Sequence, residues 1–523
     1  MRPTPPLGGR HRLASRLVPL ATMAAAFGLV VAEAPSTSHP AAAYRAPSGR
    51  PPAPAPGPAR GRPDCSRRAV LGPAVSCEPA WSGDNGGATY RGVTASQVTL
   101  DYYLPSLGGS LGSVAALAGA SPPAVQDQEV STYARFFNRY FQTYGRRVVV
   151  KVFRSGQPAG DEAGARSDAV AVATQDRAFL VTGAVDASFL DEAARRGVET
   201  VTGAQLPQPF LSAHFPFLWG LLASTDTEDA MVAEYVDKRL GPGSPARFGG
   251  QHSRPPVNGR PRRIGLVYPT TNPDGSPSIQ AGVGDDLARR LRADGLAVGA
   301  EVGYSQVPSD AQAQATNIVA RLRAARVTTV ACLCDPFAPL YLTRAATSQG
   351  WYPEWLVTGY GLQDADQLAR LYDQSQWRHA FGITTLPSAA PTPTTAPYKA
   401  WEQANPGRPL PVDAPLVFAQ LLVPFAAIEA AGPRLDPSSF ARAMFSLYLP
   451  TNPLFYYSRS DLGGIKDAAE VWWDPTALGP DGKAGHYEEP DGARRYRLGH
   501  WPARSTTAFQ AACLPPGSCG AGA

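Results

Sequence analysis

Histidine is scarce in this sequence. There are seven, and none falls in an H-x-x-x-H or H-E-x-x-H spacing, so no helix presents the paired imidazoles of a zinc protease. There is no G-x-x-x-x-G-K-[ST] and no strand-linked G-x-G-x-x-G, so no nucleotide or other cofactor is expected. Asp474 and Asp481 bracket a Gly/Pro turn, but their spacing is not that of a calcium loop. Charge is also sparse, at 17% of residues, and the net +5 is unevenly placed. Residues 1–64 hold eight Arg and two acids, a net of +6, which leaves −1 for the remainder. With a near-neutral body, nothing in the total charge suggests nucleic acid or an anionic membrane surface as a partner. Beyond Leu17–Ala32 no stretch reads as long and apolar enough to cross a bilayer.

What is present at the N-terminus is an export signal. Arg2, Arg10, Arg12 and Arg16 precede the apolar run Leu17–Ala32, and Ala41-Ala42-Ala43 offers an A-x-A cleavage site. Retention of the run as an anchor is the alternative. No Cys follows at lipobox spacing, so the expected product is extracellular or periplasmic without a lipid. Six cysteines suit an oxidising compartment. Spacing favours local bridges Cys65–Cys77 and Cys513–Cys519. Cys332 and Cys334 lie i, i+2 in an apparent strand and share a face. A bridge there is expected to be strained, which leaves two buried free thiols as the alternative. A lone C-x-C does not make a metal site.

Residues 34–64 are rich in Pro, Ala, Gly and Ser and cannot bury enough apolar surface to order themselves. After Tyr90, strands and helices alternate. Val98–Leu104, Arg147–Phe153, Ala178–Thr182 and Val198–Val201 read as strands. Between them, Gln126–Tyr144, Asp161–Gln175 and Phe189–Arg196 show helical spacing. The pattern restarts with a helix at Asp226–Leu240. Strands follow at Ile264–Tyr268, Val298–Tyr304, Thr328–Cys334 and Trp355–Thr358, with helices at Ile279–Asp294, Ala311–Arg323, Leu340–Ser348 and Leu362–Tyr372. Such alternation predicts an α/β fold of two similar lobes, each a parallel sheet with helices on both faces, joined by a hinge. The expected organisation is a signal peptide at 1–43, a Pro-rich disordered linker with Cys65 and Cys77 at 44–89, and the first part of lobe one at 90–224. Lobe two is expected at 225–384, a return to lobe one at 385–455, and a strand-and-turn tail at 456–523.

Gly108-Gly109-Ser110-Leu111-Gly112 matches the G-x-S-x-G elbow of serine hydrolases. It follows the first strand of the fold rather than a central one, and no HGGG-type run accompanies it. A Gly/Ser loop at the carboxyl end of a strand is also where open α/β sheets hold ligands. Further strand-end loops read Thr182-Gly183-Ala184, Thr202-Gly203-Ala204, Tyr268-Pro269-Thr270-Thr271-Asn272, Cys334-Asp335-Pro336-Phe337 and Thr358-Gly359-Tyr360-Gly361. Small residues admit a ligand to the backbone, hydroxyls add directional hydrogen bonds, and aromatic rings supply an apolar wall.

Several stretches resemble the type I periplasmic-binding proteins, and among them the leucine-binding-protein-like receptors of branched-chain amino acid ABC importers. They are Gly92-Val93-Thr94 with Val98–Tyr102, the Ser106–Gly112 loop, Leu218–Glu234, Arg263–Tyr268, Gln349–Trp355, and the helix with Phe418, Leu421 and Ala426-Ala427. The resemblance spans about Gly92 to Pro502. It implies a non-catalytic, monomeric receptor that closes two lobes on a small molecule and delivers it to a permease. A ligand-sensing module for a membrane receptor is the first alternative, and a secreted hydrolase using Ser110 the second. By position, Ser110, Gly183, Ala184, Thr202 and Gly203 would face the ligand from lobe one. Asn272, Asp335, Phe337 and Tyr360 would face it from lobe two, the two aromatic rings as a closing wall. Amino-acid binders of this kind carry an acid after the last lobe-two strand. Here that loop is Thr358–Gly361, with Asp364 beyond it and Asp335 as the other acid, so an amide, a small organic acid or an aromatic compound joins amino acids as implied ligand.

Overall fold

The computed structural model describes residues 81–106, 119–158, 160–388, 390, 392–447 and 455–503. The leader, most of the linker, four of the six cysteines and the Ser110 loop lie outside the described residues. The first sheet contains β1 (Gln97–Ser106), β2 (Arg147–Pro158), β3 (Leu180–Thr182), β4 (Glu199–Thr202) and β5 (Leu218–Gly220). All are parallel, in the order β2-β1-β3-β4-β5. Helices α1 (Pro123–Tyr140), α2 (Glu162–Thr174), α3 (Ala187–Arg195) and α4 (Gln208–Ala213) connect them. Crossover helices cover both faces of such a sheet, so its strands need no polar side. Accordingly every residue of β3, β4 and β5 is buried.

The chain then leaves for the second lobe through α5 (Thr225–Tyr235). There it builds β6 (Ile264–Thr271), α6 (Val283–Ala293), β7 (Val298–Ser305), α7 (Ala311–Ala324), β8 (Thr329–Cys332), α8 (Ala338–Ser348), β9 (Glu354–Val357) and β10 (Ala380–Thr384). It returns through α9 (Ala396–Ala404), α10 (Ala414–Ala431) and α11 (Pro437–Ser446). On lobe one the Phe418 and Phe425 rings of α10 meet Phe137 of α1, with centroids 4.9 and 5.4 Å apart. Contrary to the expectation that no second stretch would qualify, α10 is long and apolar enough to cross a bilayer by composition, but most of it is buried inside the protein. It is apolar on nearly all sides because α1, β3, β4 and α11 surround it.

Finally β11 (Asp467–Leu478), β12 (Ala484–Glu488) and β13 (Arg495–Arg497) join the second sheet, whose order is β12-β11-β10-β9-β8-β6-β7, with β13 on β11. Two expectations need correction here. The second sheet is mixed, because β11 runs antiparallel to β10. The C-terminal stretch is therefore no separate tail. Asp467–Trp473 are seven successive buried residues inside lobe two.

Local corrections have local causes. The expected helix Leu362–Tyr372 shrinks to a 3-10 turn at Tyr360–Leu362 and one α-turn at Asp366–Ala369. Gly361 and Leu362 take φ of 58° and 57°, outside the helical region. The helix expected over Asp226–Leu240 ends at Tyr235 and continues as a π-turn to Leu240. Cys332 and Cys334 form a disulfide rather than two free thiols; their Cα atoms lie 5.0 Å apart, within ordinary bridging range.

Among the described residues, the chain passes between the lobes after β5 at Leu221–Ser224, again after β10, and a third time just before β11. The first and third are laced together. Gly220 N–H donates to Leu462 O and Gly464 N–H to Leu222 O, each at 2.9 Å. Gly463 permits this approach, since a Cβ there would lie 2.4 Å from Ser224 N.

Candidate ligand site between the lobes

One cavity of about 200 Å³ opens between the lobes at the carboxyl ends of their strands. Lobe one contributes the end of β1 (Tyr102–Pro105), Gly183 and Val185 after β3, Gly203 and Gln205 after β4, and Leu221 and Leu222 after β5. Lobe two contributes Pro336 after β8, Gly361 and Leu362 after β9, and Leu386 after β10. Helices α1 and α10 close the flank with Glu129, Val130, Val417 and Gln420. This is the switch-point crevice where open parallel sheets hold ligands, here shared by two sheets.

The close approach at β3 has a glycine as its cause. Gly183 has φ 84°, and a Cβ there would meet Tyr103 O at 2.5 Å. The backbone after β3 therefore lies directly on the end of β1.

Polar groups gather on the lobe-one flank. Tyr102 OH donates to Gln420 Oε1. Thr182 Oγ donates to Gln420 O at 3.2 Å and so holds α10 on β3. Ser121 ties two acids together: its Oγ donates to Glu129 Oε1 at 2.9 Å, and its N–H donates to Asp413 Oδ2 at 2.8 Å. Glu129 is fully buried, and its Oε2 has no hydrogen-bond partner among the described residues. Burial pushes its carboxyl up to about 7, and the Asp413 charge adds to the rise.

On the opposite side Gln205 bridges the lobes. Its Nε2 donates to Glu228 Oε2 of α5 at 2.5 Å and to Gly359 O at 3.3 Å, and its Oε1 accepts from Gly361 N–H at 2.9 Å. Gln280 Nε2 donates to Gln205 O at 3.0 Å. One side chain of lobe one thus satisfies both backbone groups of the turn after β9. Beneath it Glu228, Asp229 and Asp364 are buried together. Burial raises all three carboxyls, Asp364 to about 6, and Glu228 is raised further by the charges of Asp364 and Asp229.

The structure brings Gly183 and Gly203 to the cavity wall. Ala184 and Thr202 sit behind them, fully buried, with Thr202 Oγ donating to Ala184 O at 2.6 Å. The four lobe-two positions are not in the lining. Asn272 is spent inside its own turn, donating to Ser276 Oγ and Pro277 O. Asp335 accepts from the N–H groups of Phe337 and Ala338 and from Tyr304 OH. Phe337 packs in the lobe-two core. Tyr360 turns inward because Asp229 accepts its hydroxyl at 3.0 Å, so the neighbours Gly361 and Leu362 meet the cavity instead. Asp364 is bound to Thr384 Oγ. Ser110 lies outside the described residues.

Sequence reasoning passed over Gln205, Gln420, Glu129 and Asp413. Two carried a signal. Gln420 is the lone polar residue between Leu416 and Val423. Glu129 stands four residues before Tyr133, on the apolar stripe of α1.

No family model and no curated protein matches this sequence. Solved structures do. An ABC-transporter solute-binding protein from R. palustris, in complex with 4-hydroxybenzoate, has a TM-score of 0.54 at 13% identity, over 77% of this chain and 98% of its own. A substrate-binding ABC-transporter protein from Aeropyrum pernix gives 0.55 at 12%, over 77% and 96%. A leucine-binding protein from Thermotoga maritima gives 0.51 at 14%, over 75% and 97%. The two mixed-α/β lobes, the laced hinge and the interlobe cavity are together the type I periplasmic-binding-protein fold, and that is the fold of this chain.

Proposed function

We propose that this chain is an extracytoplasmic solute-binding protein that captures a small molecule between its lobes and hands it to an ABC importer. One observation carries the reading: a mostly apolar cavity is walled by strand ends of both lobes, so occupancy and closure are coupled. A ligand that contacts both walls favours the closed arrangement, and that preference is the signal a permease can read. The structures with which it shares a fold are described as solute- or substrate-binding proteins of ABC transporters, in agreement with this role. Residues 1–43 act as a cleaved leader, and the mature chain works as a monomer. The narrower kinship with leucine binders has less support, because Asp335 and Asp364 are both engaged within lobe two.

The test is a thermal-shift screen of amino acids, amides, amines, small acids and phenols, followed by small-angle scattering of the hits. A ligand at a hundred times its Kd adds about 2.7 kcal/mol of stability. A true ligand also leaves scattering at or below the free protein's radius. If no compound class stabilises the protein, the solute-binding reading fails. Turnover of a hit that is lost in Ser110→Ala would favour the hydrolase instead.

A further inference from the structure

We infer that the ligand carries a protonated nitrogen on a compact apolar body, and that this nitrogen seats on the Glu129–Asp413 pair at the lobe-one flank. The inference rests on the solute-binding reading and names the chemistry of that same site.

Glu129 comes from the first turns of α1, and Asp413 directly precedes α10. Ser121 hydrogen-bonds to both carboxylates, and both residues line the cavity. Neither has a cationic neighbour. No Lys, Arg or His is present among the lining residues. Residues 107–118, outside the described set, read LGGSLGSVAALA and contain no ionisable side chain. Among the described lining residues the pair therefore meets no positive charge.

Three buried carboxylates elsewhere have a cationic partner within the chain, although Asp101, Glu199 and Glu228 do not. Glu354 is fully buried and meets Arg262 at 2.8 Å, and Glu470 meets Arg239 at 2.7 Å. Asp467 meets Arg495 at 2.8 Å. A buried carboxylate with an empty lone pair facing a cavity is costly unless something fills it. Glu129 Oε2 is buried and has no hydrogen-bond partner among the described residues, and Glu129 lines the cavity. An ammonium supplies both the missing charge and up to three N–H donors, enough for two carboxylates.

The rest of the wall fixes the body. Leu104, Val130, Leu221, Leu222, Leu362 and Val417 offer no hydrogen bond from their side chains. A cavity of about 200 Å³ compares with roughly 150 Å³ for an apolar cavity that binds benzene. One ring with a short arm fits that volume.

The experiment is calorimetric titration of the full chain with three probes of one shape: benzylamine, benzyl alcohol and benzoate. Benzylamine is expected to bind wild type at least tenfold more tightly than either other probe. Glu129→Gln keeps the shape and removes the charge, and is expected to weaken benzylamine at least tenfold while leaving benzyl alcohol within threefold. Asp413→Asn is expected to do the same to a smaller degree. The probe comparison on wild type needs no variant, so it stands even if a substitution fails to fold. Benzoate or benzyl alcohol binding as tightly as the amine would overturn the inference and leave the solute-binding reading intact. So would an unchanged amine affinity in Glu129→Gln. Binding of no compound of any class in the wider screen would overturn both.

Discussion

Replacing Gln205 with Ala tests the coupling between the lobes directly. The side chain makes three hydrogen bonds, to Glu228, Gly359 O and Gly361 N–H, and all three partners belong to lobe two. At a net of about 0.5–1.5 kcal/mol each, their loss removes roughly 1.5–4.5 kcal/mol from the closed arrangement. Each 1.4 kcal/mol is a factor of ten, so the closed-to-open ratio should fall by about ten- to a thousandfold. In the open state water satisfies the freed groups, and neither lobe loses core packing. The variant should therefore melt close to wild type. Its radius of gyration should rise, and its affinity should fall in proportion to the closed fraction. Small-angle scattering reads the first effect and calorimetry the second. Saturating ligand should bring the variant back to the wild-type scattering curve. If Gln205→Ala scatters as wild type does and binds equally well, the residue is not a latch and the closed arrangement has another origin.

Asp101 lies fully buried in β1 with neither carboxylate oxygen hydrogen-bonded, and burial holds its carboxyl at about 7. Because the folded value is raised, its contribution is present at acid pH and lost as pH rises from about 4 through 7; calorimetric melting of Asp101→Asn should match wild type near pH 4 and exceed it at pH 8, by up to about 4 kcal/mol. Arg262→Ala strands the fully buried Glu354 and should cost about 3–5 kcal/mol in denaturant titration, whereas exposed Arg154→Ala should change little. Tyr360→Phe leaves Asp229 without its hydroxyl partner and should lower stability by about 1–3 kcal/mol with affinity unchanged. An affinity loss without a stability loss would return Tyr360 to the cavity wall.

The element order could be read from the chain because parallel strands are short apolar runs between glycines and amphipathic helices. Val98–Leu104 and Ile264–Tyr268 are such runs, and both lie within strands. The antiparallel β11 could not be placed, since Phe381 pairs with Trp472 and no local pattern links them. The cavity's glycines were accessible for a similar reason: position after a strand is a local property. The direction of Tyr360 was not, because it is set by Asp229, far away in the chain. Nor did a lone Gln or Glu on an apolar helix announce which neighbour it would face.

The late arrival of β11 also orders the birth of the molecule. A chain synthesised N-terminus first completes the lobe-one sheet with β5, yet lobe two must wait while α9, α10 and α11 go back to lobe one. During that interval β10 presents a bare edge, Ala380–Thr384, all of it buried in the finished protein. An open apolar edge is a template for foreign strands. Truncations that remove residues beyond Ile465 should therefore be aggregation-prone or rapidly degraded rather than merely weakened, because they leave the β10 edge uncovered.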